Sequence, residues 1–209
     1  MSNPDRLWPL GRYTLGTLAA TAARLQVHGK ENIPREGGFV AALNHMSWID
    51  VPLFAYANPR NTYYVAKVEA HRIPGLGQFI RAFGSFAIRR GESDRDAVRR
   101  MREVVREGGV LGVFVEGTRQ KTGVPGDVQP GAAMVALQED VPVVCGAISG
   151  SLEWKLTNLH PTTIVWGKPM RFEGLPKGAN GYRQASDEIG SEIKRLWEEA
   201  RALNQRRLA

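Results

Sequence analysis

Short apolar runs alternate with amphipathic stretches along most of the chain. Gly38-Phe39-Val40-Ala41-Ala42-Leu43, after a turn region at Pro34 and Gly37, reads as a buried strand. A helix near 48–57 and a strand from Thr62 to Ala66 follow. Ser93 to Glu107 is the clearest helix. Ser93 is its candidate cap, Ala97, Val98, Met101, Val104 and Val105 recur at helical spacing, and Gly108-Gly109 stops it. Val110 to Val115 is then a second buried strand. A helix near 130–139, a strand near 141–148, a strand at Thr163 to Trp166, and a last helix with Ala185, Ile189, Ile193, Leu196, Trp197 and Ala200 on one face complete the pattern. This alternation predicts an α/β fold, a mainly parallel sheet flanked by helices. No internal repeat interrupts it.

The N-terminal stretch differs. Leu7 to Leu25 carries Leu7, Trp8, Leu10, Tyr13, Leu15, Leu18, Ala19, Ala22 and Leu25, with Arg12 and Arg24 near its ends. It fits two settings equally: the headgroup layer of a membrane, or the surface of the domain as an ordinary packed helix. No run reaches the roughly 18 apolar residues of a membrane span, and no cleavable signal pattern begins the chain. The expectation is a helical, candidate membrane-interfacial segment at 1–30 and one domain at 31–209. A chain of 209 residues suits a single domain with a substantial core.

Charge narrows the partners. The chain has 28 Lys and Arg against 21 Asp and Glu, a net charge of +7, which favours anionic surfaces: phospholipid headgroups, coenzyme A phosphates or nucleic acid. Arginines cluster at Arg89, Arg90, Arg95, Arg99, Arg100, Arg102 and Arg106, and those beyond Arg90 fit a solvated helix face. The lone Cys145 rules out an internal disulfide and a multi-cysteine zinc site, and its apolar surroundings suit a packed thiol. Gly75-Leu76-Gly77 fails as a dinucleotide fingerprint because Ile80 holds the third glycine position, and it reads as a turn after Pro74. No GxSxG elbow or phosphate loop is present, and His28, His71 and His160 are read as surface or structural histidines.

Two polar blocks carry candidate chemistry: Asn44-His45-Met46-Ser47-Trp48-Ile49-Asp50 and Phe114-Val115-Glu116-Gly117-Thr118-Arg119. Positions five apart point roughly 140° away from each other on a helix, so His45 and Asp50 cannot share a helix face. They meet if His45 sits in a loop and a helix starts at Ser47 or Asp50; Ser47-x-x-Asp50 has the form of a capping box, and the spacing does not choose between the two caps. Pro52 is compatible with a helix start. His45 then stands at the carboxyl end of a strand, the edge where open α/β sheets bind ligands. Taken alone, such a His and Asp fit a hydrogen-bonded structural pair.

With the other blocks beside it, the chain resembles the glycerolipid acyltransferases of the lysophosphatidate acyltransferase type over roughly residues 36–170. Asn44, His45 and Asp50 match that family's NHxxxxD block. Phe83-Gly84-Ser85-Phe86-Ala87-Ile88-Arg89-Arg90 is similar to its second block and puts Arg90 at the arginine position. Glu116, Gly117, Thr118 and Arg119 match the FPEGTR-like block, and Val141-Pro142-Val143-Val144 the fourth. Val115 and Cys145 stand where the family usually has proline, which touches turn geometry and removes no polar group.

The resemblance implies direct transfer of an acyl group from a thioester, acyl-coenzyme A or acyl-acyl carrier protein, to a lysophospholipid hydroxyl, with no cofactor, no metal and no acyl-enzyme. His45 is the implied general base, and Asp50 orients it. Arg119 and Arg90 are the candidates for the acceptor's phosphate; Glu116, Gly117 and Thr118 complete the cradle, and Lys67 matches a lysine often found in the family. For Glu116, fixing an arginine or bonding an acceptor hydroxyl stand beside a structural role. Implied partners are the lysophospholipid, the acyl thioester, an anionic membrane surface and an acyl carrier protein, with nucleic acid not expected. The implied location is cytoplasmic, peripheral on the inner face of the membrane. The default acceptor is 1-acylglycerol-3-phosphate, with another lysolipid or glycerol 3-phosphate as alternatives. From a different class, a basic membrane- or nucleic-acid-binding module explains the charge but leaves the four ordered blocks unexplained.

Overall fold

The computed structural model describes residues 4–82, 84–88 and 95–208. Its centre is a seven-stranded sheet. In chain order the strands are β1 (Gln26–His28), β2 (Phe39–Leu43), β3 (Thr62–Lys67), β4 (Ser85–Ile88), β5 (Val110–Phe114), β6 (Val143–Ser149) and β7 (Thr163–Met170), arranged β1-β7-β6-β2-β5-β3-β4. From β6 through β4 all neighbours run parallel; β7 is antiparallel to β6, and β1 is parallel to β7. Parallel neighbours need a crossover, and the 150–162 connection contains no helix, so β7 returns beside β6 in the opposite direction.

The expected mainly parallel sheet is therefore present, and its central strand is β2, which ends two residues before His45. The alternation of β2 explains why its sequence is apolar throughout. Val40 and Ala42 enter one core with Leu111, Val143, Cys145, Ala147 and residues of α7 (Gly131–Glu139) and α8 (Ala179–Arg206). Phe39, Ala41 and Leu43 enter the other, with Val110, Val144, Ile164 and residues of α3 (Asp50–Ala57). A strand covered on both faces has no polar side to show. Cys145 is a packed thiol, its Sγ 3.7 Å from Met170 Sδ, and burial holds its pKa well above the ordinary thiol range.

The N-terminal stretch forms α1 (Pro4–Gly11), a π-helical turn (Arg12–Gly16) and α2 (Thr17–Ala22). Trp8, Ala20 and Ala23 are buried against the second core, as expected of a helix packed on the domain, while Leu10, Tyr13, Leu15 and Leu18 stay exposed. Among the described residues no helix is long and apolar enough to cross a membrane.

Two short helices between β3 and β4, α4 (Val68–Arg72) and α5 (Leu76–Ala82), were not expected, nor was the three-residue β1. The helix expected at 93–107 is α6 (Arg95–Arg106); its proposed cap Ser93 lies outside the described residues. Four of the five α6 arginines make structural contacts. Arg102 and Arg106 both pair with Glu139 of α7, Arg99 bridges Asp96 and Glu103, and Arg100 lies over the Phe86 ring.

Candidate active site

β2 stops at Leu43, and the next side chain seals its end. Asn44, fully buried, donates from Nδ2 to the Ile148 carbonyl at 3.0 Å and accepts the Ile148 N–H on Oδ1 at 2.8 Å. An amide side chain thus continues the β2–β6 ladder for one step, which frees the main chain to turn. On the other side the Val115 N–H donates to the Leu43 carbonyl at 2.9 Å, carrying the β2–β5 pairing to the same level.

The turn that follows is closed by Asp50. Its Oδ2 accepts the His45 Nδ1–H at 2.9 Å and the N–H groups of Met46 and Ser47, each at 2.7 Å. Asp50 is fully buried and His45 keeps 17% of its side chain exposed. The expected choice between two caps resolves into one half of a capping box. Asp50 reaches back to the Ser47 N–H, while the Asp50 N–H donates to the Ser47 carbonyl at 3.2 Å, and α3 begins at Asp50. Because a carboxylate only accepts, the His45 proton resides on Nδ1 and Nε2 carries the lone pair. The ring also lies on Phe114, centroids 4.1 Å apart and planes 21° from parallel.

β5 delivers the second block to the same place. Leu43 and Phe114 are paired in register, so Glu116 arrives beside His45. Glu116 Oε2 accepts the His45 N–H at 2.7 Å and Oε1 accepts the Gly126 N–H at 2.9 Å. Burial dominates its electrostatics and pushes its pKa up to about 7, against the opposing pull of the two N–H donors. Gly117 makes the turn, with φ at +70° where a side chain would be strained. The chain then comes back, and the Gln120 N–H donates to the His45 carbonyl at 2.7 Å. Both main-chain groups of His45 are therefore held by the 114–120 block.

Gly112 prepares the floor of this region. A Cβ there would come within 2.8–2.9 Å of Thr62, Phe54 and Tyr64 side-chain atoms, so its absence lets two aromatic rings lie on β5. Phe54 meets Tyr64 at 5.3 Å and Phe114 at 6.3 Å between centroids, which fixes Phe114 beneath the imidazole.

Of the expected residues, the structure brings His45, Asp50 and Glu116 into one hydrogen-bonded group, with Gly117 in the adjoining turn. Thr118 and Arg119 are exposed and lie between two residues, Glu116 and Gln120, that bond His45. Arg90 lies outside the described residues. Lys67 ends β3, separated from β2 by β5, and its side chain is outside the described part. Among the described residues Glu116 pairs with no arginine; its oxygens go to main-chain donors. His71 meets Ser85 Oγ at 3.3 Å and His160 donates to the Pro161 carbonyl at 3.0 Å, both structural contacts.

Three contributors to the site had no role in the sequence reading: the Asn44 seal, the Gly126 amide and the Phe114 platform. Asn at the end of an apolar strand was a readable sign of a side chain replacing a ladder partner. The Gly126 contact had no local signal.

A protein-family model described as Acyltransferase matches residues 24–149, more than half of the chain. The 1-acyl-sn-glycerol-3-phosphate acyltransferase of Bacillus subtilis (strain 168) is 29% identical over 157 residues, 73% of this chain and 78% of that relative. The lyso-ornithine lipid O-acyltransferase of Pseudomonas aeruginosa is 33% identical over 110 residues, 52% of this chain and 41% of its own length. The fold is that of the crystal structure of the 1-acyl-sn-glycerophosphate (LPA) acyltransferase PlsC from Thermotoga maritima. The match has a TM-score of 0.71 at 23% identity and covers 95% of this chain and 84% of that one. The chain belongs to the acyltransferase family and is an enzyme of its glycerolipid acyltransferase type.

Proposed function

We propose that the chain transfers a fatty acyl group from an acyl thioester to the free hydroxyl of 1-acylglycerol-3-phosphate, giving phosphatidic acid. The observation that carries this reading is the His45–Asp50 pair, with Nδ1–H committed to a buried carboxylate and Nε2 left as the proton acceptor. His45 Nε2 takes the hydroxyl proton as the oxygen attacks the thioester carbonyl. The tetrahedral intermediate collapses with cleavage of the C–S bond, and the imidazolium returns the proton to the departing thiolate. Asp50 stabilises the imidazolium between these steps, and base catalysis of this kind contributes about 10² to 10⁴ in rate. No acyl-enzyme is formed.

Arg119 and Arg90 bind the acceptor's phosphate through charge-assisted hydrogen bonds, with Thr118 and the Gly117 turn completing the cradle next to Arg119 and Lys67 as a further cation. Acyl-coenzyme A or an acyl carrier protein supplies the thioester, and the site needs no cofactor or metal. The enzyme works peripherally at the inner face of the cytoplasmic membrane, held by its net charge of +7 and the exposed apolar residues of its first helices. A second acceptor class, a lysolipid with a different headgroup, is favoured by the 33% identity to a lyso-ornithine lipid O-acyltransferase.

The test is thiol release from an acyl thioester in the presence of lysophosphatidate. The native chain turns over, and His45→Ala, with an unchanged circular dichroism spectrum, does not. Unchanged turnover in that variant removes His45 as the base. Mass spectrometry of products from mixed acceptors decides the headgroup; a profile without phosphatidic acid overturns the preferred acceptor and leaves the reaction class standing.

A further inference from the structure

The chain has five tryptophans, and four are buried: Trp8, Trp154, Trp166 and Trp197 expose 8% or less. Trp48 is 60% exposed. It stands inside the loop that joins the base to its carboxylate, three residues after His45. Its ring meets Trp154 edge-on at 5.7 Å, and Trp154 is fixed in turn by donating Nε1–H to the Ala22 carbonyl at the end of α2, at 3.1 Å. The rim of the His45 site is thus tied to the end of the N-terminal helical segment.

That segment lies along α3. Arg12 Nε donates to the Tyr56 carbonyl at 3.4 Å, and a Cβ on Gly16 would touch Tyr56 and Pro52 at 3.4–3.5 Å. Leu10, Tyr13, Leu15 and Leu18 of the segment are exposed, as is Val51 in the first turn of α3. Arg12, Arg24 and Lys155 belong to the same segment and to the Trp154 loop. Apolar side chains with interspersed cations match an anionic bilayer surface, and an indole half in and half out of the protein suits the headgroup layer.

We propose that Trp48 is a membrane contact in its own right, seated in the headgroup layer of an anionic bilayer beside the N-terminal segment. This rests on the peripheral-membrane reading above. Three Cα steps span at most about 11 Å, and each headgroup layer is roughly 5–8 Å deep. With Trp48 anchored, His45 is held at or just outside the layer that carries a lysolipid's hydroxyl, so the acceptor reacts without leaving the membrane.

The test uses the full chain and its own fluorescence with vesicles of phosphatidylglycerol and phosphatidylcholine, some with brominated acyl chains. Emission moves to shorter wavelength and is quenched by bromine on binding. Trp48→Phe binds and loses that change, which assigns the signal; Trp48→Ala binds roughly tenfold more weakly, as expected for withholding a large apolar side chain. Vesicle binding by the native chain with unshifted, unquenched emission overturns the Trp48 contact and leaves the membrane reading intact. Failure of the native chain to bind any such vesicle overturns both.

Discussion

His45 and Glu116 are joined through the main chain of the first and the carboxylate of the second: the His45 N–H donates to Glu116 Oε2 at 2.7 Å. The two polar blocks of the sequence, 71 positions apart at this contact, therefore meet at the backbone of the proposed base and not through two reacting side chains. Glu116 also holds the Gly126 N–H, so one buried carboxylate sets where the imidazole starts and where the 120–130 loop lies.

Glu116→Gln tests that role. An amide offers one acceptor oxygen where the carboxylate offers two, so either the His45 or the Gly126 N–H loses its partner. An orphaned buried donor costs about 1–3 kcal/mol. The expected result is a fall of roughly 10- to 100-fold in kcat/KM, with a modest loss of stability. Native kcat/KM in this variant would remove Glu116 as the residue that positions His45.

The same side chain gives a pH signature. Its pKa is raised from 4.5 to about 7 in the folded protein by burial. Between those values the folded chain keeps a proton that the unfolded chain has released. The contribution to stability is complete below pH 4.5 and is lost as pH rises through about 7. Urea midpoints of the native chain and Glu116→Gln, measured from pH 4 to 8, should therefore differ in slope across that window. Parallel profiles would mean that Glu116 titrates like an exposed carboxylate.

Asp50→Asn separates charge from shape. Asp50 Oδ2 receives three donors, while Oδ1 is buried without a protein partner among the described residues. An asparagine can turn its oxygen to the three donors and leave its NH₂ where Oδ1 stood. The loop persists, but nothing neutralises the imidazolium. Turnover should fall about 10²- to 10⁴-fold while the circular dichroism spectrum is retained. A drop below threefold would show that the carboxylate serves the loop alone.

Asn44→Ala should act on stability. It leaves the Ile148 N–H and carbonyl unpaired in a fully buried position, at a cost of about 2–4 kcal/mol for the two groups. For a chain of this size that lowers Tm by roughly 5–15 °C. A calorimetric shift under 2 °C would mean that water takes both groups.

Much of this architecture was readable because its causes are local. The apolar run at 38–43 suited a buried strand, and a His just beyond such a strand falls at the carboxyl edge of the sheet. The five-residue gap to Asp50 excluded a shared helix face, and the structure closes it with a loop whose three donors converge on one oxygen. The role of Glu116 was not readable, because its partners Gly126 and His45 come from other parts of the chain and only the β2–β5 register brings them near. The direction of β7 depended on the absence of a helix in 150–162, a distinction that a run of apolar residues does not make. Helices α4 and α5 escaped because each is too short to show a helical period.

Arg119 gives the sharpest test of the acceptor. It is exposed, makes no ion pair among the described residues, and directly precedes Gln120, whose N–H is bonded to the His45 carbonyl. Removing it should leave folding unchanged. If it binds the acceptor's phosphate, the loss of one charge-assisted contact worth about 1.5–3 kcal/mol lowers kcat/KM for lysophosphatidate roughly 10- to 150-fold. Arg119→Lys should recover only part of that, since an ammonium keeps the charge and loses the two-pronged geometry. The control is a lysolipid without a phosphate, for which Arg119→Ala should cost little. An equal loss on both acceptors would place Arg119 with the thioester donor or with the turn, and the phosphate would then need another cation.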